Sequence, residues 1–402
     1  MSENNHQDLS AQSDLGKMLK KCKLIIWDEA PMANKLCFEA LDRSLRDILR
    51  RSRYDTCDDP FGKMTMVFGG DFRQVLPVIP KGSREDIVTA SLRKSYLWDF
   101  CKVLKLTANM RLTVGSRPED VNEIREFADW IFKVGDGELG EPNDGEVSID
   151  IPHEILIDVA DDPVQSIIDF TYPNLLDNID DATYFQEKAI LAPTNEVVDN
   201  INEHLLDKFP GEEMVYLSCD SVDKTERGAG IDQSIFSPEF INGLKFSGVP
   251  NHRIALKVGV PIMLLRNIDQ SNGLCNGTRL QVLKLTRTSI HARIINGTNF
   301  GKTVIIPRLR VTPSDKRLPL KIVRKQFPIS VSFAMTINKN QGQSLSKVGL
   351  YLPRPVFTHG QLYVAVSRVK SKSGLKVVVC DQDGNMCKTT TNVVYKEVLE
   401  GL

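Results

Sequence analysis

Apolar positions along this chain fall into two patterns, short unbroken runs and stripes at helical spacing, and the way they alternate predicts an α/β protein. Leu24-Ile25-Ile26-Trp27 is an unbroken run that stops on Asp28 and Glu29, which predicts a strand buried on both faces with two carboxylates at its C-terminal end. Leu36, Leu41, Leu45, Ile48 and Leu49 then recur at helical spacing with Asp42, Arg43, Arg46 and Asp47 between them, so an amphipathic helix should pack on the sheet. Residues 64–68 read as a second buried strand, and 103–106 as a short further one. Val121, Ile124, Phe127, Ala128 and Ile131 form a helical stripe ending near Gly135, and the Gly-, Asp- and Glu-rich stretch 135–145 reads as an exposed loop.

The second half repeats the alternation. Residues 189–192 predict a strand and 195–206 a helix with Thr194 as its N-cap, while 210–258 reads as short strands and loops. Runs at 260–265, 280–285, 290–295 and 303–306 are separated by turn residues, as in a small β-rich unit. Beyond them come a strand at 329–333, a helix from Met335, a strand at 348–352, a helix at 360–369 and a strand at 375–380. No pattern is evident in residues 1–23 or after Asp381.

Composition narrows the function classes. With 402 residues and a formal charge of −1, the chain is long enough for two or three domains, and nucleic-acid binding has to use a local patch. Such a patch lies at 302–325, where Lys302, Arg308, Arg310, Lys316, Arg317, Lys321, Arg324 and Lys325 face only Asp315, whereas acids are frequent over 119–223. The eight cysteines form no C-x-x-C pair, so neither a disulfide framework nor a zinc site is expected. Asn276-Gly277-Thr278 and Asn296-Gly297-Thr298 match the glycosylation pattern but read as hairpin turns, and no apolar span is long enough for a membrane.

Both early strands end on chemistry. In a nucleoside triphosphatase an acid in the place of Asp28 holds the magnesium shell through water, and one in the place of Glu29 can orient and deprotonate the attacking water. After the second strand, Gly69-Gly70-Asp71-Phe72-Arg73-Gln74 offers glycines that allow close backbone approach, an acid, and an amide able to bond a phosphate oxygen or a water. Each stretch alone is also compatible with an ordinary strand end and a surface turn.

Together, Trp27-Asp28-Glu29-Ala30-Pro31-Met32 and Phe68-Gly69-Gly70-Asp71-Phe72-Arg73-Gln74-Val75-Leu76-Pro77-Val78 resemble the second and third motifs of the Pif (petite integration frequency) family of superfamily-one DNA helicases. Trp27 and Pro31 are most similar to the plant and Helitron-transposon branch. The resemblance continues through Leu106-Thr107-Ala108-Asn109-Met110-Arg111-Leu112, Leu191-Ala192-Pro193-Thr194-Asn195, 337–344 and 360–369. It implies two RecA-like (P-loop NTPase) domains with a small inserted β-barrel: a polar segment 1–23, a partial first domain 24–104, a second domain 105–261 with 329–402, and a basic insert 262–328.

The resemblance further implies ATP and Mg2+ as cofactors and single-stranded DNA or DNA junctions as partner. Arg111 and Arg368 would reach the transferring phosphate, and Gly70, Asp71, Gln74 and Gly342 would line the nucleotide site with Asp28. Pro77, Thr194, Asn195, Thr336, Lys339 and Gln341 would follow the DNA, and Asn340 departs from the more usual serine. A nuclear location is expected before a mitochondrial one.

One family part is missing from these residues. No stretch supplies a G-x-x-x-x-G-K-[ST] loop; Gly297-Thr298-Asn299-Phe300-Gly301-Lys302-Thr303 is one residue short between its glycines and runs into a strand, so it reads as a hairpin turn. The expectation is a chain truncated ahead of the second motif, with an incomplete first domain and no hydrolysis by itself. The alternatives are a remnant that binds single-stranded DNA without hydrolysis and an unexpressed or unstable remnant with no activity.

Overall fold

A computed structural model of the chain describes residues 12–50, 59–107, 120–140, 145–158, 161–181, 183–222, 237–313, 322–381 and 383–401. The N-terminal stretch is not featureless. Helix α1 (Asp14–Lys21) is capped by the Ser13 side chain, and its acidic start and basic end suit the helix dipole. Strand β1 (Leu24–Trp27) is followed by α2 (Lys35–Leu49) and β2 (Thr65–Phe68), and the two strands pair in parallel from Leu24 opposite Thr65 to Trp27 opposite Phe68. Phe38 of α2 packs its ring 4.7 Å from Trp27 and 5.3 Å from Phe68.

Only that face is covered. Leu24, Ile26 and Val67 on the other side are exposed, Ile26 at 68%, so the expected burial of β1 on both faces is corrected: among the described residues one layer, α2, lies on this sheet. The strand expected at 103–106 is also absent, because neither β1 nor β2 lends it an edge and Leu104 and Leu106 stand in solvent. Asp42, one of the charged residues between the apolar positions of α2, is 1% exposed. Burial pushes its carboxyl up, but hydrogen bonds from the Tyr96 hydroxyl, the Phe61 N–H and Arg46 outweigh this and hold it below its ordinary value.

Helix α3 (Arg84–Ala90), opened by a Ser83–Asp86 capping box, leads toward the second unit, which begins with α4 (Asp120–Asp136), β3 (Glu146–Asp150), α5 (Pro163–Thr171), β4 (Lys188–Ala192) and α6 (Asn195–Lys208). The chain then leaves the main sheet for β5 (Met214–Leu217), β6 (Cys219–Val222), α7 (Pro238–Gly243), β7 (Arg253–Leu256), β8 (Pro261–Leu264), β9 (Arg279–Leu285), β10 (Ser289–Ile294), β11 (Thr303–Pro307), β12 (Leu309–Val311), β13 (Ile322–Gln326) and β14 (Ile329–Val331). It returns through β15 (Ala334–Thr336), β16 (Lys347–Leu352), α8 (Gln361–Val366), β17 (Leu375–Val379) and β18 (Thr389–Val393).

The main sheet is parallel in the order β15-β4-β16-β17, and the unpatterned tail supplies β18, paired antiparallel to β3. The run 329–336 crosses between sheets. Its first part, β14, edges the inserted sheet, and β15 pairs with β4 from Ala334 opposite Ile190 to Thr336 opposite Ala192. The helix expected from Met335 is therefore corrected to a strand followed by a single 3-10 turn, Ile337–Asn340, because the free edge of β4 takes Met335 and Thr336.

The inserted strands form an open five-stranded antiparallel sheet, β11-β10-β9-β8-β14, and a three-stranded one, β12-β13-β6. The expected barrel is thus corrected: among the described residues β11 and β14 do not meet, and β13 pairs with β6 from upstream of the insert. Gly297–Lys302 is the turn between β10 and β11, as its sequence suggests, and Thr303 already begins β11.

The insert is welded on by charge as well as by apolar contact. Arg279 is fully buried and gives its guanidinium to the carbonyls of Phe185, Lys188 and Ser332. Arg324, expected within a DNA-facing basic run, is buried too, bonded by Nε and Nη2 to Asp220 and by its fork to the carbonyls of Ile241, Leu244 and Pro250. Lys302, Arg310 and Lys325 of that run are exposed, while Lys316, Arg317 and Lys321 lie outside the described residues.

Candidate active site and nucleic-acid interface

The site is assembled where the two units meet. Val75 and Leu76, which follow the Gly69–Gln74 loop of the first unit, are buried in the core of the second beside Phe127, Val364 and Val393. This anchors the loop, and β1 and β2 bring their ends to it: the Ala30 N–H donates to the Gly69 carbonyl at 2.8 Å and the Gly69 N–H to that of Trp27 at 2.9 Å. Gly70 cannot carry a side chain, since a Cβ there would lie 2.3 Å from Cδ of Pro31.

At the end of β1, Asp28 accepts the Glu29 N–H at 2.9 Å, and Glu29 holds a left-handed backbone (φ 51°) that is unfavourable for a non-glycine residue. Burial and the neighbouring Asp28 carboxylate push the Glu29 carboxyl above its ordinary value, while Arg368 and a hydrogen bond from Gln341 oppose them. A Cβ on Gly342 would lie 3.7 Å from Oε1 of Glu29, so Gly342 faces this carboxylate directly. Gln74 accepts at Oε1 from Nε2 of Gln341 at 2.9 Å. Arg368 is buried, with Nε on the Val364 carbonyl and Nη1 on that of Gln343.

The structure thus brings Asp28, Glu29, Gly70, Asp71, Gln74, Gln341, Gly342 and Arg368 together around the end of β1. Arg111 lies outside the described residues. Asp28, at the end of β1 beside the Glu29 carboxylate, is a donor suited to Mg2+, which keeps several waters and takes few protein ligands when phosphates share it.

Four residues holding the loop were not singled out in the sequence. Tyr363 of α8 donates its hydroxyl to Oδ2 of Asp71 at 2.6 Å, and burial, then Asp71, push the phenol well above its ordinary value, so it remains a donor. Arg73 is held by Asp136 at 2.7 Å (Nε) and 3.2 Å (Nη2), so the end of α4, expected to open an exposed loop, is part of the clamp. His359 donates from Nε2 to the Phe72 carbonyl and accepts the Tyr395 N–H at Nδ1, each at 2.8 Å. The available signal was glycine: a Cβ on Gly135 would strike Tyr363 and Arg73, and one on Gly360 would lie 2.3 Å from the Arg73 carbonyl.

His359 makes stability pH-dependent. Burial lowers its pKa from 6.5 to about 4, so between these values the unfolded chain binds a proton that the folded chain refuses, and stability falls as pH drops through that window. Urea unfolding at pH 6.5 and at pH 4.5 should show this loss, up to roughly 3 kcal/mol by the acid end, reduced in His359→Gln. Equal pH slopes for the two proteins would contradict the assignment.

The residues expected along DNA separate into two groups. Asn195, at the start of α6, and Lys339 are exposed and line a cleft of about 430 Å3 between α6 and the inserted strands. Lys339 and Gln341 also line a second cleft, of about 340 Å3, facing two turns of the insert. Thr194 caps α6, and Thr336 and Pro77 are buried. Gln341 therefore touches both the carboxylate site and the second cleft.

A family model described as PIF1-like helicase matches residues 1–145, and one described as DNA helicase Pif1, 2B domain, matches residues 239–285. The ATP-dependent DNA helicase PIF1 of Xenopus laevis is 28% identical over 364 residues, covering 90% of this chain and 47% of that protein. Its Homo sapiens namesake is 25% identical over 382 residues, covering 94% and 50%. The chain spans about half the length of these relatives. Among solved structures, Pif1 helicase from Candida albicans gives a TM-score of 0.59 at 22% identity, covering 96% of this chain and 77% of that one. Bacteroides Pif1 bound to ssDNA gives 0.56 at 22%, covering 91% and 72%. At this identity the likeness is one of fold, that of RecA-like α/β domains. Two family models on separate stretches, and relatives aligned along 90% or more of its length, agree: the chain is similar to PIF1-like helicases.

Proposed function

We propose that the chain carries the later parts of an ATP-dependent DNA helicase that moves 5′-to-3′ along single-stranded DNA or DNA junctions, in the nucleus, in repair, recombination, telomere maintenance or Helitron transposition. Trp27 and Pro31 support the plant and Helitron-like branch. The observation that carries the reading is the meeting of Asp28, Glu29 and Gln74 from one unit with Gln341, Gly342 and Arg368 from the other. In this reading residues 24–104 are a partial first RecA-like domain, 105–261 with 329–402 the second, 262–328 the insert, and 1–23 a leading segment.

Asp28 would hold Mg2+ through water, and with ATP bound the ion would neutralise charge on the phosphates. Glu29, its carboxylate made more basic by burial and by Asp28, takes the proton of the attacking water at Oε1 or Oε2, and the Gln74 amide orients that water. Arg368 sits within electrostatic reach of Glu29 and suits stabilisation of charge as a phosphoryl group leaves. Gln341, shared between Gln74 and the second cleft, is placed to couple strand binding to this site. The phosphates still need a cradle, and these 402 residues contain no G-x-x-x-x-G-K-[ST] run, which supports the inference that they do not hydrolyse ATP by themselves.

Strand binding is tested by fluorescence anisotropy with a labelled oligothymidylate across salt concentrations. Lys339→Ala is expected to weaken binding and to reduce the slope of log K against log salt by about one. Binding that ignores both salt and Lys339 would refute a track along these residues.

A further inference from the structure

We propose that the two Asn-Gly turns of the inserted sheet form an uncharged wall that grips a nucleic-acid strand against Lys339 and Gln341. The inference rests on the strand-binding reading and adds a second side to it. The 340 Å3 cleft is lined on that side by 273 and 276–278, between β8 and β9, and by 296–299, between β10 and β11, and Lys339 is the one charged residue among its lining. Its other side chains are amides and hydroxyls.

The wall is built rigidly. The Asn296 side chain accepts the Arg279 N–H at 2.9 Å, and Arg279 is the buried peg of the insert. The two turns touch each other, since Nδ2 of Asn299 stands 2.4 Å from where a Cβ on Gly273 would be, and Lys302 braces Asn299 at 3.0 Å. Gly277 (φ 87°) and Gly297 (φ 75°) have open space where a Cβ would point, so no side chain of their own stands between these turns and the cleft. Among the described hydrogen bonds none uses the Asn276 carboxamide or the Thr298 hydroxyl, and both residues are exposed. The turn that superficially resembles a phosphate loop thereby gains a use that needs no helix N-terminus.

Amides and hydroxyls both donate and accept, so they bond phosphate oxygens and the edges of any base without selecting one. They carry no charge, so engaging them releases no counterions. The wall therefore contributes affinity that is independent of salt, whereas Lys339 contributes affinity that salt removes. A strand between the two is held by complementary means.

The test is the anisotropy titration of labelled oligothymidylate, at a series of salt concentrations, on the full chain and on Asn276→Ala/Thr298→Ala. Loss of two neutral hydrogen bonds should raise Kd about tenfold and leave the salt slope unchanged, with the thermal midpoint of both proteins equal. Asn276→Gln/Thr298→Ser should recover most of the affinity. Unchanged Kd in the alanine variant, while Lys339→Ala still weakens binding, overturns the wall and leaves the track standing. A slope that falls in the alanine variant overturns the uncharged grip. Absence of salt-dependent binding by the unsubstituted chain overturns the track and the wall together.

Discussion

Purified as these 402 residues and given excess single-stranded DNA, the protein should release phosphate from ATP at least about a thousandfold more slowly than a family member that carries a G-x-x-x-x-G-K-[ST] loop. The reason is additive in kind. That loop supplies backbone amides to the β and γ phosphates, a lysine to the charge that builds between them, and a hydroxyl to the metal. Loss of one preorganised donor already slows a reaction by about a hundredfold to a thousandfold, and these 402 residues hold no G-x-x-x-x-G-K-[ST] run to supply such donors. The carboxylates and Gln74 are in place, but a base can act only on a substrate that is held. A longer polypeptide with such a loop ahead of β1 should turn over ATP, and Glu29→Gln in it should slow that turnover by about a hundredfold to ten-thousandfold. DNA-stimulated turnover by the 402 residues alone, lost on Glu29→Gln, would show that the phosphates are gripped by other residues.

The largest effect on stability is expected from Asp220→Ala. Arg324 and Asp220 have side chains 1% and 3% exposed, and Nη2 of Arg324 lies 2.7 Å from Oδ2 of Asp220. Removing the carboxylate leaves a guanidinium buried with carbonyl partners alone, which should lower the unfolding free energy by about 3–5 kcal/mol. Urea unfolding followed by circular dichroism reads this as a lower midpoint. Asp220→Ala/Arg324→Met should regain part of the loss, because two well-packed apolar groups are tolerated where one unpaired charge is not. A loss below about 1 kcal/mol in the single variant would mean that the pair is open to water.

Much of the candidate site was legible because each of its first-unit residues follows an unbroken apolar run. Such a run predicts a strand, and a polar residue just past its end has to face a crevice, as Asp28 and Gln74 do. Residues whose role depends on distant partners were not legible. Arg324 belongs to a charge run in the sequence, and nothing near it shows that Asp220 and three carbonyls enclose it. Asp42 occupies a place where a helix normally meets solvent, and it is buried because Phe61 and Tyr96 come over it. Tyr363 and Asp71 are 292 positions apart, beyond the reach of any local periodicity.

Taken by itself, the sequence determined the kind of chemistry available: acids and an amide at strand ends, an arginine on a late helix, and an uncharged pair of Asn-Gly turns. It also determined the α/β alternation, since apolar period decides strand or helix locally. Only the tertiary structure decided which of these groups meet. Burial of Val75 and Leu76 in the second unit's core carries Gln74 to Gln341, 267 positions away, and an edge of β4 left free turns Met335 and Thr336 from helix into strand. Side-chain periodicity is a property of neighbours in the chain, whereas packing and edge pairing are properties of neighbours in space.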